Sequence, residues 1–231
     1  MKRRLLKWLL RLFLAAVALV VVLLLCRNAI LRRVIEHNIR SQTGLNVEIG
    51  RFELGLATPS IEIQDLKIYN PPTFSNTTFV DIAEIHAEFD RDALLRKEFH
   101  VTLLRFNLDE LNIVKSPDGL TNIFELAKTA PVKSNTGIAK PNFKEQTGYD
   151  FTDIDSLSVS FNKAKYIDLQ NPANNREQTI GMTNCLVPNV KSISDLAGVV
   201  LLIDLRSNHF FDPLIGKPQK PGALQDIFNI L

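Results

Sequence analysis

The side chains best suited to chemistry do not gather into a site in this sequence. The four histidines, His37, His86, His100 and His209, stand far apart, with no His-Glu-x-x-His pair and no paired cysteines to complete a metal set. The carboxylates Asp81, Glu84, Glu88, Asp109 and Glu110 are dense enough for acid–base work, which requires two of them to converge on one reacting atom. Their spacing places them on solvated strand faces and turns instead. No serine lies in a G-x-S-x-G elbow and no glycine-rich phosphate loop occurs. The expectation is a protein without catalytic residues, metal ligands or cofactor, and not an enzyme. Cys26 and Cys185 provide no disulfide framework. Asn76-Thr77-Thr78 is formally a glycosylation sequon and equally a polar turn.

With chemistry set aside, composition narrows the class. The chain has 231 residues, 45% of them hydrophobic, which suits one medium domain or two small ones and excludes disorder and collagen-like repetition. Its net charge of +2 hides a division. The first 40 residues hold nine Lys or Arg and a single acid, Glu36, leaving 18 basic and 24 acidic residues beyond them. An acidic body argues against nucleic acid, whose binding rests on clustered cations over phosphates. A basic, apolar head fits a membrane anchor.

Leu12 to Cys26 is an unbroken apolar run. As a helix it spans only about 22 Å, short of the roughly 30 Å hydrocarbon core. Extended back to Leu5, with Lys7 and Arg11 snorkelling, Trp8 in the interfacial belt and Arg27 at the far boundary, it reaches about 33 Å. The residues after it, Cys26-Arg27-Asn28-Ala29-Ile30-Leu31, lack a small-residue cleavage pattern, so the reading is an uncleaved signal anchor. Lys2, Arg3, Arg4, Lys7 and Arg11 precede the span without an acid, which orients the N-terminus to the cytoplasm. Ile30, Leu31, Val34, Ile35 and Ile39 then recur at helical spacing until Thr43-Gly44. That stripe either lies on lipid or caps the following sheet.

The body reads as strands in two consecutive units. Val47 and Ile49 alternate with polar residues, as do Ile61 and Ile63, and the parity then switches before Leu66 and Ile68, which predicts a β-bulge near Gln64-Asp65. Residues 79–89 and 99–108 give longer strands joined through Asp92-Ala93-Leu94-Leu95, and a short helix runs from Asn122 through Leu126. Residues 129–150 read as a linker or surface loop. Beyond it, strands are expected over the alternating Leu157, Val159 and Phe161, over another run from Tyr166 that ends in Asn171-Pro172, at 179–186 and over the alternating Val199, Leu201, Ile203 and Leu205, for about ten in all. Tyr166-Ile167-Asp168-Leu169-Gln170-Asn171-Pro172 echoes Lys67-Ile68-Tyr69-Asn70-Pro71, a weak internal repeat. Leu224, Ile227, Phe228 and Leu231 suggest a docking helix. The division is thus 1–43 anchor and juxtamembrane helix, 44–128 first β module, 129–150 linker, 151–206 second β unit and 207–231 tail. The fold class is mainly β with an N-terminal transmembrane helix.

The run Thr43-Gly44-Leu45-Asn46-Val47-Glu48-Ile49-Gly50 after an apolar helix, then Ile61-Glu62-Ile63-Gln64-Asp65-Leu66-Lys67-Ile68-Tyr69-Asn70-Pro71-Pro72-Thr73-Phe74, resembles the N-terminal module of the AsmA family. Residues 79–89, Asp92-Ala93-Leu94-Leu95, residues 101–114 and Asp118-Gly119-Leu120-Thr121-Asn122 continue the pattern in order. The likeness covers roughly residues 1–128, and 150–206 more loosely. It implies an inner-membrane-anchored periplasmic protein of envelope biogenesis, with a curved, antiparallel, groove-like sheet and a role in lipid movement. Strands with a strongly apolar face and few covering helices must bury that face against themselves, a partner or acyl chains. Lipid-contact candidates are Ile61, Ile63, Phe79, Phe89, Phe99, Val101 and Leu103; Phe106 and Phe161 share the choice between groove and core, and Phe74 reads as a loop plug. Expected partners are membrane lipids, other envelope proteins or further copies, and not nucleic acid. Two readings stay open: a lipid-binding or lipid-passing groove, and an anchored scaffold that pairs its sheet edge with another envelope protein.

Overall fold

The computed structural model describes residues 2–55, 57–123, 143–208 and 210–211 of the chain. A long helix, α1 (Lys2–Thr43), leads into six strands: β1 (Val47–Gly55), β2 (Ser60–Tyr69), β3 (Thr78–Phe89), β4 (Glu98–Lys115), β5 (Asp150–Asp168) and β6 (Arg176–Val190). Short helices α2 (Arg91–Leu95) and α3 (Phe143–Thr147) precede β4 and β5, and α4 (Ala197–Ser207) follows β6. All six strands form one open sheet in sequential order. The pairings are antiparallel except β4 with β5, which run parallel.

Local chemistry accounts for the boundaries. Gly44, at φ 69°, donates its N–H to Arg40 O at 2.9 Å and closes α1 as a left-handed helix cap that glycine adopts without strain. Asp90 caps α2 by accepting from Ala93 N at 2.7 Å. The Asn-Pro echo is structural: Pro72–Phe74 and Pro172–Asn174 each form a single 3-10 turn, joining β2 to β3 and β5 to β6. Phe74 is buried in its turn, as a plug would be.

Several expectations need correction. The sheet has six long strands rather than ten short ones, and it is mixed rather than antiparallel, because the long connection after β4 returns the chain to the end where β4 began. The two β units consequently share one sheet. Val199, Leu201, Ile203 and Leu205 belong to helix α4, not to a strand. There, burial follows Val199, Ile203 and Ser207 at steps of four, while Leu201 and Leu205 are 57% and 69% exposed. The bulge expected at Gln64-Asp65 is not an extra residue: Gln64 pairs with Arg51 and Leu66 with Ile49 without slippage. Asp65 instead takes φ 53° opposite Gly50, where a Cβ would lie 2.7 Å from that of Asp65. The pairing still leaves Ile63 and Leu66 on one face.

Among the described residues no helix is long and apolar enough to cross a membrane. The span expected over 5–26 falls largely on residues whose side chains lie outside those described, including Lys7 and 16–25. Most of the expected linker, the helix beyond Ile123 and the tail helix also fall outside them.

Candidate functional site

Cross-strand register builds one apolar face from all six strands. A first row runs Val47, Ile68, Val80, Leu111, Ala164 and ends at Gln178; a second runs Ile49, Leu66, Ile82, Leu108, Phe161, Met182. A third follows as Phe52, Ile63, Ile85, Phe106, Val159, Cys185, and a fourth as Leu54, Ile61, Ala87, Leu104, Leu157, Val187. A shorter fifth row, Phe89, Val101, Ile154 and Val190, crosses β3 to β6. Every strand contributes an apolar pair three residues apart, Ile49/Phe52, Ile63/Leu66, Ile82/Ile85, Leu108/Leu111, Phe161/Ala164 and Met182/Cys185, and β4, β5 and β6 add a second, Val101/Leu104, Ile154/Leu157 and Val187/Val190. Strict alternation would put such pairs on opposite faces. Each strand therefore switches parity at least once, and β4, β5 and β6 twice; on β3 and β4 the register shifts around Ile82 show the local irregularity that achieves the first switch.

The face is covered unevenly. Leu31, Ile35 and Ile39 of α1 pack on the cluster of Val47, Ile49, Phe52, Leu66 and Ile82, so the amphipathic stripe caps the sheet, while Ile30 and Val34 stay 48% and 50% exposed. From the other side Val199 and Ile203 of α4, with Phe210 and Phe211, pack on Ile113, Phe161, Ala164, Ile180 and Met182. Ile123 touches both clusters. The centre of the fourth row, Ala87, Leu104 and Leu157, and the whole fifth row belong to neither cluster.

Beyond the first row, at what we term the asparagine end, the chain is locked by polar groups. Asn122, 1% exposed, accepts from Val114 N and Ile123 N at 3.0 Å each and donates to Asn70 Oδ1 at 2.7 Å and Asn112 O at 2.8 Å. Both lone pairs and both donors are used, so a buried amide is fully satisfied. Two of the sequence motifs, Asn70-Pro71-Pro72 and Asp118 to Asn122, thus meet in one knot. Asp168, 1% exposed, does the same work in the second hairpin. The backbone N–H of Asn171 first, then Asn174, Lys115 and the N–H of Gln170, hold its carboxyl down at about 2.

Positions of the candidate residues follow from the rows. Ile61, Ile63, Phe89 and Val101 lie on the apolar face, and Phe89 packs against Phe99 with ring centroids 5.0 Å apart and planes tilted by 50°. Phe79 is buried with the α1-side cluster. Leu103 is displaced: Leu103 pairs with Glu88 and Val101 with Phe89, so the extra residue Thr102 moves Leu103 to the polar face, beside Glu84, Arg105 and Asn107 in a shallow depression. Trp8 and Arg11 are exposed on α1, whereas Arg27 donates to Leu54 O at 2.9 Å and ties the helix to β1.

The opposite face is charged and paired. Asp81 meets Lys67 at 3.3 Å, Glu84 meets Arg105 at 2.9 Å, Glu88 meets His86 at 3.1 Å, and Glu110 meets Lys163 and Lys165 at 2.9 and 2.8 Å. Burial pushes the Glu110 carboxyl up, but the two lysines and Asn112 outweigh it and hold it at about 2. One cluster was invisible in the sequence. Parallel pairing of β4 with β5 puts His100 Nδ1 2.9 Å from Asp153 and Nε2 3.0 Å from Asp155. The three residues offer ligand atoms within 4.8 Å of one another. Both ring nitrogens nevertheless face carboxylates, and the bond to Asp155 outweighs burial in raising the pKa, so the arrangement is a clamp between strands that protonation of His100 strengthens.

No family model, no curated protein and no solved structure matches this chain.

Proposed function

We propose that this chain is an AsmA-like, membrane-anchored module of the bacterial envelope that binds or passes lipid along its apolar sheet face, with its N-terminus cytoplasmic and its body periplasmic. The observation that carries the reading is the continuous apolar face: four rows crossing the sheet, with half-buried Ala87, Leu104, Phe89 and Ile154 and buried Leu157, Val101 and Val190 outside both helix-covered clusters. An apolar strip of this kind favours acyl chains over polar ligands. The exposed Trp8, Leu12, Phe13 and Leu14 on α1, at 57–66%, agree with an anchor that continues beyond the body. No bond-making role is assigned: the carboxylates that do converge, Asp153 and Asp155, meet on the two ring nitrogens of His100 as its ion-pair partners.

Pairing through a sheet edge is less well supported. Side chains of α1 occupy the β1 backbone through Arg27, Arg32 and Glu36. Pro188 and the left-handed Asn184 and Asn189 interrupt β6, devices that discourage strand addition. Six strands also give a sheet only about 24 Å wide at about 4.8 Å per step, so one copy acts locally rather than as a bridge between two membranes. The test is to wash membranes with carbonate, extract the full chain in detergent and analyse bound lipid. Retention in the membrane with co-purifying phospholipid is expected; a lipid-free, still-folded protein would sink the groove.

A further inference from the structure

The direction of α1 sets where the body stands relative to its expected membrane. Helix and strand run antiparallel: Glu36 accepts from Ile49 N at 3.0 Å, Arg32 donates to Gly50 O at 2.9 Å, and Arg27 donates to Leu54 O at 2.9 Å. From Glu36 to Arg27 the helix advances about 13 Å, and from Ile49 to Leu54 the strand advances about 17 Å, so the two axes stay nearly aligned. The apolar run that ends at Cys26 therefore starts level with Leu54. Every loop beyond Leu54 at this end projects in the direction the anchor takes.

Two such loops are joined. Phe89 N donates to Pro59 O at 2.9 Å and the Arg91 guanidinium donates to Ala57 O, so α2 is fastened beside the β1–β2 turn. On α2, Leu95 is 80% exposed, the most exposed large apolar side chain among the described residues. Phe151, 42% exposed, pairs in register with Phe99 at the same end. An apolar side chain so placed gains from entering the interfacial layer of a bilayer. Three cations and three acids balance between Asp90 and Glu98, namely Arg91, Arg96, Lys97 against Asp90, Asp92, Glu98. The attraction is thus apolar rather than a charge match, and weakly dependent on salt.

We propose that the α2 tip is a second membrane contact: Leu95 enters the bilayer beside the anchor and holds the α2 end of the apolar face at the lipid surface. This rests on the anchor and groove reading above, and it assigns lipid entry to the α2 end rather than the asparagine end. Those ends lie about 58 Å apart along the 18 residues of β4.

The experiment is tryptophan quenching in vesicles of phosphatidylcholine brominated on its acyl chains, with the full chain reconstituted. Trp8, the single native tryptophan, reports on the anchor. In a W8F background, L95W reports on the tip and L120W on the opposite end, where Leu120 is 43% exposed. Trp8 and L95W should lose about half their emission or more, unaffected by salt, and L120W should lose none. If Trp8 is quenched but L95W behaves like L120W, the tip contact is wrong while the anchor stands. If Trp8 is not quenched, the anchor reading falls and this contact falls with it.

Discussion

The two ends of the sheet are built on opposite principles. At the asparagine end, α1, α4 and Ile123 close the apolar face, and a buried amide with all four of its hydrogen bonds made locks the turns beneath. At the α2 end the apolar rows run past both helix-covered clusters toward a protruding Leu95 and a clamp of exposed or half-exposed charges. The first arrangement is what stability asks for. The second buries Val101, Leu157 and Val190 without help from either helix cluster and leaves Leu95 and Phe151 exposed at its tip, which is unfavourable in water and favourable against lipid. The difference teaches that helices and a satisfied buried amide hold one end, while the other is held by its own strands and carries the exposed apolar tip to which the proposed reading assigns lipid.

The largest break in that comparison is Asn122→Ala. It strands Val114 N, Ile123 N, Asn70 Oδ1 and Asn112 O in a site 1% exposed, and about 3 kcal/mol or more should be lost given about 1–3 kcal/mol for each unsatisfied buried group. Against a typical stability of about 5–15 kcal/mol this is a severe defect. Denaturant unfolding of the detergent-solubilised chain measures it. Phe89→Ala at the other end, removing a half-buried ring, should cost about 1–2 kcal/mol, below the roughly 3–5 kcal/mol of a fully buried one. Equal losses at the two ends would remove the distinction.

A finer break lies within the α2 end and uses two neighbouring leucines. Leu104 stands in the fourth row between Ala87 and Leu157, whereas Leu103 faces Glu84 and Arg105. Leu104→Asn should cost about 2 kcal/mol through lost apolar burial and should reduce retained phospholipid several-fold. Leu103→Asn should cost under about 1 kcal/mol and leave lipid unchanged. If the two variants retain the same lipid, the apolar face is core and not a groove.

That pair also shows what the sequence can and cannot disclose. Alternation alone places Val101 and Leu103 together, and only the register reveals Thr102 as the extra residue between them. The parity switch between Ile63 and Leu66 is legible from the polar residues between them, and the same step recurs over Gly50-Arg51, Asp109-Glu110, Asn162-Lys163 and Thr183-Asn184, so this signal is present in the sequence on those strands too. α4 deceives for its own reason: Val199, Leu201, Ile203 and Leu205 alternate in apolarity, but Val200 and Leu202 between them are apolar too, so the period is undetermined over so short a run. The Asn70-Pro71 and Asn171-Pro172 turns are readable from local chemistry. The clamp at His100 is not, since it depends on which strand lies beside β4.

The smallest expected effect separates the ends by the sign of their pH response. His100 at the α2 end has a folded pKa above its ordinary 6.5, through the bond to Asp155, against burial, and then the charges of Asp155, Asp153 and Asp90. A raised pKa means the folded state holds the proton more tightly, so the clamp contributes fully below about 6.5 and fades as pH rises through the folded value. Asp168 at the asparagine end is lowered from 3.8 to about 2, so its contribution is present above 3.8 and fades as pH falls toward 2. Asp155 is exposed and solvent screens its pairing, which keeps the His100 effect modest. Thermal midpoints of the wild type against His100→Gln should therefore converge on the alkaline side of 6.5, and those of the wild type against Asp168→Asn should converge on the acid side of 3.8. Because each curve is a difference between two proteins at one pH, the general acid and alkaline destabilisation of the chain cancels. What remains is the titration of one clamp at each end. Convergence of both pairs in the same direction would mean that His100 is neutral when folded, and that the α2 end is held by the packing of Phe89, Phe99 and Val101 alone.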